Sequence, residues 1–269
     1  MSTGVAFGSA TTAGLVGSDA IFNEPSRLVV ERITVRLRDL PASLEGFRIV
    51  FLSDFHLHPF TPISLIHEAV VTANQLRPDL ILLGGDYVYA RAEDAFELAP
   101  ALANLNAKHG VFSVLGNHDH HRGTKVVRAA FQESGLKLFV NEGLPISVNR
   151  GAFYLAGLDS VCAGRPDLET ALQGRRSNQP LILLVHEPDP IDTFRQGAPV
   201  ALQLSGHTHG GQVRLPFFGP LILPPFGENY PAGLYRVGGS QLYTTRGIGT
   251  IKVPVRFDCP PEVTEITLA

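Results

Sequence analysis

Arg48-Ile49-Val50-Phe51-Leu52-Ser53-Asp54-Phe55-His56 decides how this chain is read. A short apolar run bounded by polar residues reads as a strand buried on both faces. This one delivers an aspartate and a histidine at its carboxyl end. The same arrangement recurs downstream. Asp79-Leu80-Ile81-Leu82-Leu83 leads into Gly84-Gly85-Asp86, and Val111-Phe112-Ser113-Val114-Leu115 leads into Gly116-Asn117-His118-Asp119. Leu181-Ile182-Leu183-Leu184-Val185 ends at His186, and Ala201-Leu202-Gln203-Leu204-Ser205 ends at Gly206-His207-Thr208-His209. Open α/β sheets gather ligands outside the carboxyl ends of their strands, so the five stretches are expected to meet along one rim. Of the ten histidines, only His67 and His109 lie clearly away from them.

These residue types suit a metal centre. Imidazole, carboxylate and an amide oxygen fit zinc, manganese or iron, and no cysteine occurs in any of the five stretches, which argues against a closed structural zinc site. Asp86 is the best candidate to bridge two ions. Two divalent cations bring four positive charges, of which Asp54, Asp86 and a bridging hydroxide cancel three. The remainder would attract a phosphate oxygen. The hydroxide would be the nucleophile, because coordination lowers the pKa of water from about 15.7 toward ~7. Phosphoester hydrolysis is the expected reaction.

The ordered pattern D-x-H, G-D, G-N-H-D, H and G-H-x-H resembles the calcineurin-like metallophosphoesterase superfamily, from roughly Phe47 to the C-terminus. The resemblance implies an α/β fold, a four-layer α/β/β/α sandwich with two mixed β-sheets, and two divalent metal ions. It implies Asp54, His56, Asp86 and His209 on one metal, with Asp86 bridging, and Asn117, His186 and His207 joining Asp86 on the other. His118 would then be the non-ligand histidine that stabilises the transition state or protonates the leaving oxygen. Asp119 would help orient it. Such a proton donor contributes ~10²–10⁴-fold.

A finer resemblance rests on Leu83-Gly84-Gly85-Asp86-Tyr87-Val88, on Ser205 to Pro216 and on Arg246-Gly247-Ile248-Gly249-Thr250. These are similar to a bacterial branch of exported or membrane-associated phosphoesterases, some with a twin-arginine leader. Certain members cleave the pyrophosphate of a UDP-diacylglucosamine lipid precursor. A lipid-linked or nucleotide-linked phosphate is thereby implied as substrate. The Ser/Thr protein phosphatase branch fits less well, because Tyr89-Ala90-Arg91 follow Val88 where that branch has an aspartate.

Further candidates surround the motifs. Arg214 and Arg246 are phosphate-reading candidates because a guanidinium fork matches phosphate bidentately, whereas Arg165 reads as a surface residue. His58, His120 and His121 lie beside the motifs without a ligand role, and His58 is carried as a substrate contact. Asp159 either holds a ligand imidazole or forms a local turn.

At 269 residues, 44% hydrophobic and 17% charged, the chain can bury a full core. No linker or repeat divides it, so residues 29–269 read as one domain and residues 1–28 as an extension or leader remnant. The formal charge of -3 gives no footprint for nucleic acid, which is not expected as a partner. Helices are expected over Ile63–Asn74, where His67 would face solvent, and over Ala92–Asn106, Thr124–Glu133 and Asp167–Leu172. Strands are expected over Val29–Leu37, Phe153–Leu158, Leu234–Val237, Gln241–Thr245, Val255–Phe257 and Val263–Thr267. Leu215 to Phe226 is apolar and proline-rich, unsuited to a regular helix or central strand. It reads as a structural loop or as a wall that accepts an acyl chain or rests on a membrane.

Met1 to Asp19 lacks a basic segment and the ~20 apolar residues of a spanning helix. Resemblance points to an exported or membrane-associated protein, and this N-terminus, if native, to a cytoplasmic one. Cys162 and Cys259 can pair or stay reduced. Two other classes stand beside the hydrolase reading: a catalytically silent scaffold of the same fold, and a lipid-binding membrane protein with structural metals. The intact ligand set and His118 argue against the scaffold, and metal-dependent turnover separates the hydrolase from both.

Overall fold

The first strand quoted above lies inside a six-stranded mixed sheet. The computed structural model describes residues 18–38 and 40–269. This first sheet comprises β1 (Val29–Val35), β2 (Arg48–Leu52), β3 (Leu80–Leu83), β4 (Val111–Ser113), β5 (Lys137–Leu138) and β14 (Glu262–Leu268), in the order β1-β14-β2-β3-β4-β5. The second comprises β6 (Glu142–Val148), β7 (Gly151–Gly157), β8 (Leu181–Leu184), β9 (Val200–Ser205), β12 (Gly233–Val237) and β13 (Ser240–Thr244), in the order β12-β13-β9-β8-β7-β6. Strands β2 to β5 run parallel, as do β7, β8, β9 and β13. A short hairpin, β10 (Arg214–Leu215) with β11 (Gly219–Pro220), stands apart from both.

The continuous apolar runs reflect burial on both faces. Alternate residues of one strand serve different layers. Ile49, Phe51, Leu80, Leu82, Ile182, Leu184, Leu202 and Leu204 fill the space between the sheets. Val50, Leu52, Ile81 and Leu83 point the other way, onto helices α1 (Ile63–Gln75), α2 (Ala95–Leu102) and α3 (Asn117–Glu133). Leu181, Leu183 and Val200 pack on the outer side of the second sheet with Ile191 of helix α5 (Ile191–Gly197); the short α4 (Leu168–Ala171) adds Ala171 to that layer. The four layers of the α/β/β/α sandwich follow from this period of two.

Several boundaries differ from expectation for identifiable reasons. The helix expected from Thr124 starts at Asn117, with a break at Gly123, whose φ of 150° is not helical. The one expected over Ala92–Asn106 is a 3-10 turn at Ala92–Asp94 followed by α2, which ends at Leu102 soon after Pro100. Val255–Phe257 is not a strand. Phe257 forms only an isolated bridge to Val213, because the segment turns inward to let the buried Arg256 guanidinium donate to the carbonyls of Cys259, Arg246 and Gly249. The described part of the expected extension is also packed on the domain: Ala20 accepts from the Arg256 backbone N–H, and buried Glu24 accepts from that of Cys259. The apolar patches Ala6-Phe7 and Ala13 to Val16 lie outside the described residues. No described helix is long and apolar enough to cross a membrane.

Leu82 is fully buried between the sheets. Leu82→Ala is therefore expected to lower unfolding free energy by about 2–5 kcal/mol in denaturant titrations, whereas Val71→Ala, on an exposed helix face, should stay within about 0.5 kcal/mol.

Candidate metal centre

Every parallel core strand that ends at this rim hands over to a tight loop, and the loops lock together through their backbones. Asp54 N–H donates to Gly85 O at 2.9 Å, His56 N–H to Asp86 O at 3.1 Å, and Gly249 N–H to Asp54 O at 2.7 Å. The backbone of Asp54, His56, Asp86, His207 and His209 lies at positive φ, between 44° and 71°. Non-glycine residues there cost of order 1–3 kcal/mol each, and such strain clusters at functional sites. Two glycines make the approach possible. A side chain at Gly206 would collide with Ser53 and the Asp54 carboxylate, and one at Gly116 with the Asp86 carboxylate.

Backbone donors aim both carboxylates. His207 N–H donates to Asp54 Oδ1 at 2.9 Å, and His118 N–H to Asp86 Oδ1 at 2.8 Å. That leaves Asp86 Oδ2 facing two imidazoles, His186 Nε2 at 3.2 Å and His56 Nε2 at 3.4 Å. His56 Nε2 and His209 Nε2 are 3.0 Å apart, and His209 Nε2 is 3.5 Å from Asp54 Oδ1. Asn117 Oδ1 meets His207 Nδ1 at 2.9 Å. Donor atoms sharing one cation at bonds of about 2.0–2.2 Å lie roughly 3 Å from one another, which is the spacing seen here. Asp54, His56 and His209 form one such group, and Asp86, His186 and His207 another. His56, Asp86 and His118 form a third that overlaps both.

The tautomers follow from carbonyl partners, which can only accept. His186 Nδ1–H donates to Gly84 O at 2.7 Å and His209 Nδ1–H to Gly249 O at 3.2 Å, so each presents its Nε2 lone pair to the centre. His207 is reversed: Nε2–H donates to Pro225 O at 2.9 Å, and Nδ1 faces Asn117. These are the contacts that fix metal-ligating histidines. His186 Nε2 is buried without a hydrogen-bond partner. The residues present fit a metal centre.

Charge points the same way. Burial pushes His56 down to about 3 and His209 well below the usual imidazole range; His207 is lowered by burial and by His186. Burial raises the Asp54 carboxyl to about 6. For Asp86 and His186 burial opposes both charges but their mutual attraction wins, holding Asp86 low and His186 high.

The remaining sequence candidates fall into distinct roles. His118 sits at the mouth, half-buried, stacked on Tyr89 with centroids 5.5 Å apart and edge-on to His56 at 4.7 Å. Burial lowers its pKa. Asp119 does not orient it. Its buried carboxylate accepts the backbone N–H groups of Asp86, Tyr87 and Gly116, each at 2.9 Å, so it braces the Asp86 loop against the start of α3. Burial and the Asp86 charge push that carboxyl up to about 7 against those N–H groups. Arg246 does not face the centre, since its Nη2 pairs with Glu262 at 2.5 Å and Glu31 at 3.1 Å. Arg214 donates to Gly210 O at 2.8 Å, and His58 pairs with Glu97 at 3.0 Å.

Asp159 holds an imidazole, but it is that of His120, at 2.6 Å, which is outside the ligand cluster. Sequence reasoning missed Glu187. Fully buried beside His186, it accepts from Ser160 Oγ at 2.5 Å and Val161 N–H at 2.8 Å, tying the loop after β7 to the centre. Its position directly after His186 was the available signal. Cys162 and Cys259 are both free.

The chain is similar to several known proteins. The family model described as calcineurin-like phosphoesterase matches residues 47–211. The Bacillus subtilis (strain 168) protein named uncharacterized metallophosphoesterase YkuE is 37% identical over 270 residues, covering 98% of this chain and 93% of that protein. Escherichia coli (strain K12) phosphodiesterase YaeI is 35% identical over 242 residues, with 88% of each chain covered. Among solved structures, Thermus thermophilus sulfate thiohydrolase SoxB in complex with glycerol superposes with a TM-score of 0.51 at 14% identity, covering 79% of this chain and 53% of that one, a likeness of fold.

The His120 and Asp159 pair gives a pH prediction. His120 is raised from 6.5, by the Asp159 hydrogen bond first; burial opposes the charge on Asp159, which is nonetheless lowered from 3.8 by His120 and backbone N–H groups. The imidazolium's contribution is complete below 6.5 and lost as pH rises through its elevated folded pKa. The carboxylate's is present above 3.8 and lost as pH falls through its depressed one. The Tm gap between wild type and Asp159→Asn should therefore be widest between those two values and narrow at alkaline pH, leaving only a pH-independent part from the lost backbone contacts. A gap that grows with alkalinity would contradict the pairing.

Proposed function

The chain belongs to the calcineurin-like phosphoesterase family and is a metal-dependent phosphoester hydrolase, and we propose that it works as a dinuclear enzyme on phosphodiester or pyrophosphate bonds, with a lipid-linked phosphate as its substrate class. One observation carries the dinuclear reading. Asp86 Oδ2 lies between His56 Nε2 and His186 Nε2, at 3.4 and 3.2 Å, and so belongs to two donor groups at once. Asp54, His56, Asp86 and His209 would hold one cation, and Asp86, Asn117, His186 and His207 the other. Manganese, zinc and iron all suit this set. When bound, such ions supply Lewis acidity and acidify water near neutral pH.

The chain's own residues do the rest. The paired loops hold the donors rigid, and the backbone N–H groups of His118 and His207 fix the two carboxylates. His118, clamped by Tyr89 at the rim, is placed to hydrogen-bond a phosphoryl oxygen or pass a proton to the leaving oxygen. The relative named a phosphodiesterase supports diesters as the first substrates.

The apolar segment after the last ligands supports the lipid reading. Phe217, at the tip of the β10–β11 hairpin, is fully exposed, Phe218 is 85% exposed and Ile222 71%. Further along the same segment Pro225 carries the carbonyl that sets the His207 tautomer. An apolar tip exposed beside a phosphoesterase centre fits a surface of acyl chains, and patches of this kind mark interaction sites. The hairpin would rest on lipid while the centre reaches the phosphate at the headgroup level.

Hydrolysis of bis-p-nitrophenyl phosphate by metal-stripped protein should return on titration with Mn²⁺ or Zn²⁺ and level off near two equivalents, with the diester ahead of the mono-ester. No turnover on either ester with the metals bound would contradict the catalytic reading. His118→Ala should retain its metal yet lose about 10²–10⁴-fold on diesters with alkyl leaving groups, and less with p-nitrophenolate, which needs no proton. Replacing Phe217 and Phe218 by serine should cut hydrolysis of a vesicle-borne phosphodiester by roughly tenfold or more, more than that of the soluble ester, since each buried phenylalanine contributes about 1.5–3 kcal/mol. Equal losses on both substrates would contradict the lipid reading.

A further inference from the structure

Arg36, Arg38, Arg175, Arg195 and Arg236 come from distant stretches of the chain, yet they line one cavity of about 790 Å³. Its floor is formed by Pro180, Val200 and Ser240, at the amino ends of β8, β9 and β13. The metal ligands sit at the carboxyl ends of β8 and β9, about 20 Å away at ~3.3 Å per residue. This cavity is separate from the metal centre.

Its charge is out of keeping with a chain of formal net charge -3. Among the described residues, the carboxylate ion-paired with any of these five guanidinium groups is Asp192, on Arg195 Nε at 3.3 Å. Like charges gathered around one opening repel, and an anion between them would relieve that. Several of the groups are held by one edge. Arg175 Nη2 donates to Gln179 O at 2.7 Å, and Arg236 Nε to Gly238 O at 3.4 Å, so their other N–H groups stay available. Arg175 Nε is buried and has no hydrogen-bond partner. Guanidinium forks match phosphate oxygens bidentately. One phosphate would occupy one or two forks, while five surround a chain of phosphates. The volume is that of a small-molecule site, about 300–1,000 Å³.

We propose that this cavity is an oligophosphate-binding site, taking a diphosphate or longer anion, distinct from the metal centre. The anion could be carried by a free small molecule or by a lipid headgroup, and both present the same chemistry to the arginines.

The test is calorimetric titration of inorganic triphosphate into the full chain at fixed ionic strength, with chelator present so that no cation at the metal centre competes. One site is expected. Its Kd should weaken by about tenfold or more in Arg38→Gln/Arg236→Gln, because the charge-assisted hydrogen bonds of two guanidinium groups are lost, and recover largely in Arg38→Lys/Arg236→Lys. Triphosphate should also raise the Tm of the wild type and not that of the glutamine variant. Co-sedimentation with phosphatidylcholine vesicles, with and without a polyprenyl diphosphate lipid, separates the sources. Arginine-dependent binding to doped vesicles without triphosphate binding would assign the headgroup. Binding of neither probe, or equal binding by the glutamine variant, would overturn the proposal.

Discussion

The centre of this protein is a cluster of hydrogen-bond acceptors with almost no donors. Two carboxylates, an amide oxygen and the lone pairs of His186, His207 and His209 converge within a few ångströms, most of them fully buried. Unpaired acceptors and charges in such a place cost several kcal/mol. Only cations satisfy them all together, and the surrounding backbone prevents the side chains from turning away. His207 and His118 N–H groups hold the carboxylates, and Gly84, Gly249 and Pro225 carbonyls hold the imidazoles.

The fold exists around that constraint. Each sheet contributes parallel strands whose carboxyl ends reach the same rim, and the final strand β14, inserted between β1 and β2, closes the first sheet. Strain at the five left-handed positions around the centre is offset by the layered apolar core, in which alternate residues of every central strand fill opposite layers. The same loops that carry strain also exchange backbone hydrogen bonds, so loss of one ligand loop would loosen its neighbours.

Much of this was legible in the sequence because metal ligation restricts residue type and buried strands restrict composition. The apolar runs before Asp54, Asp86, Asn117, His186 and His207 announced the core strands and their rim, while the sandwich was implied by the resemblance of the ordered motifs. What escaped reading depends on direction rather than identity. Asp119 follows His118 in the chain, but on a helix neighbouring residues diverge by about 100°, and Asp119 turns inward to the backbone of residues 86 and 87. Arg246 read as a phosphate contact, yet Glu262 and Glu31, remote in sequence, occupy it. The arginine cavity draws on residues from 36 to 236, a juxtaposition no local pattern encodes. Val255–Phe257 had strand composition, but the demand of Arg256 for internal carbonyls prevailed.

We propose that Asp86 is shared by two cations, which electron paramagnetic resonance of protein loaded with two equivalents of Mn²⁺ can test. A carboxylate common to both ions predicts the spectrum of a spin-coupled manganese pair. Two uncoupled mononuclear signals, or uptake of a single equivalent, would contradict it.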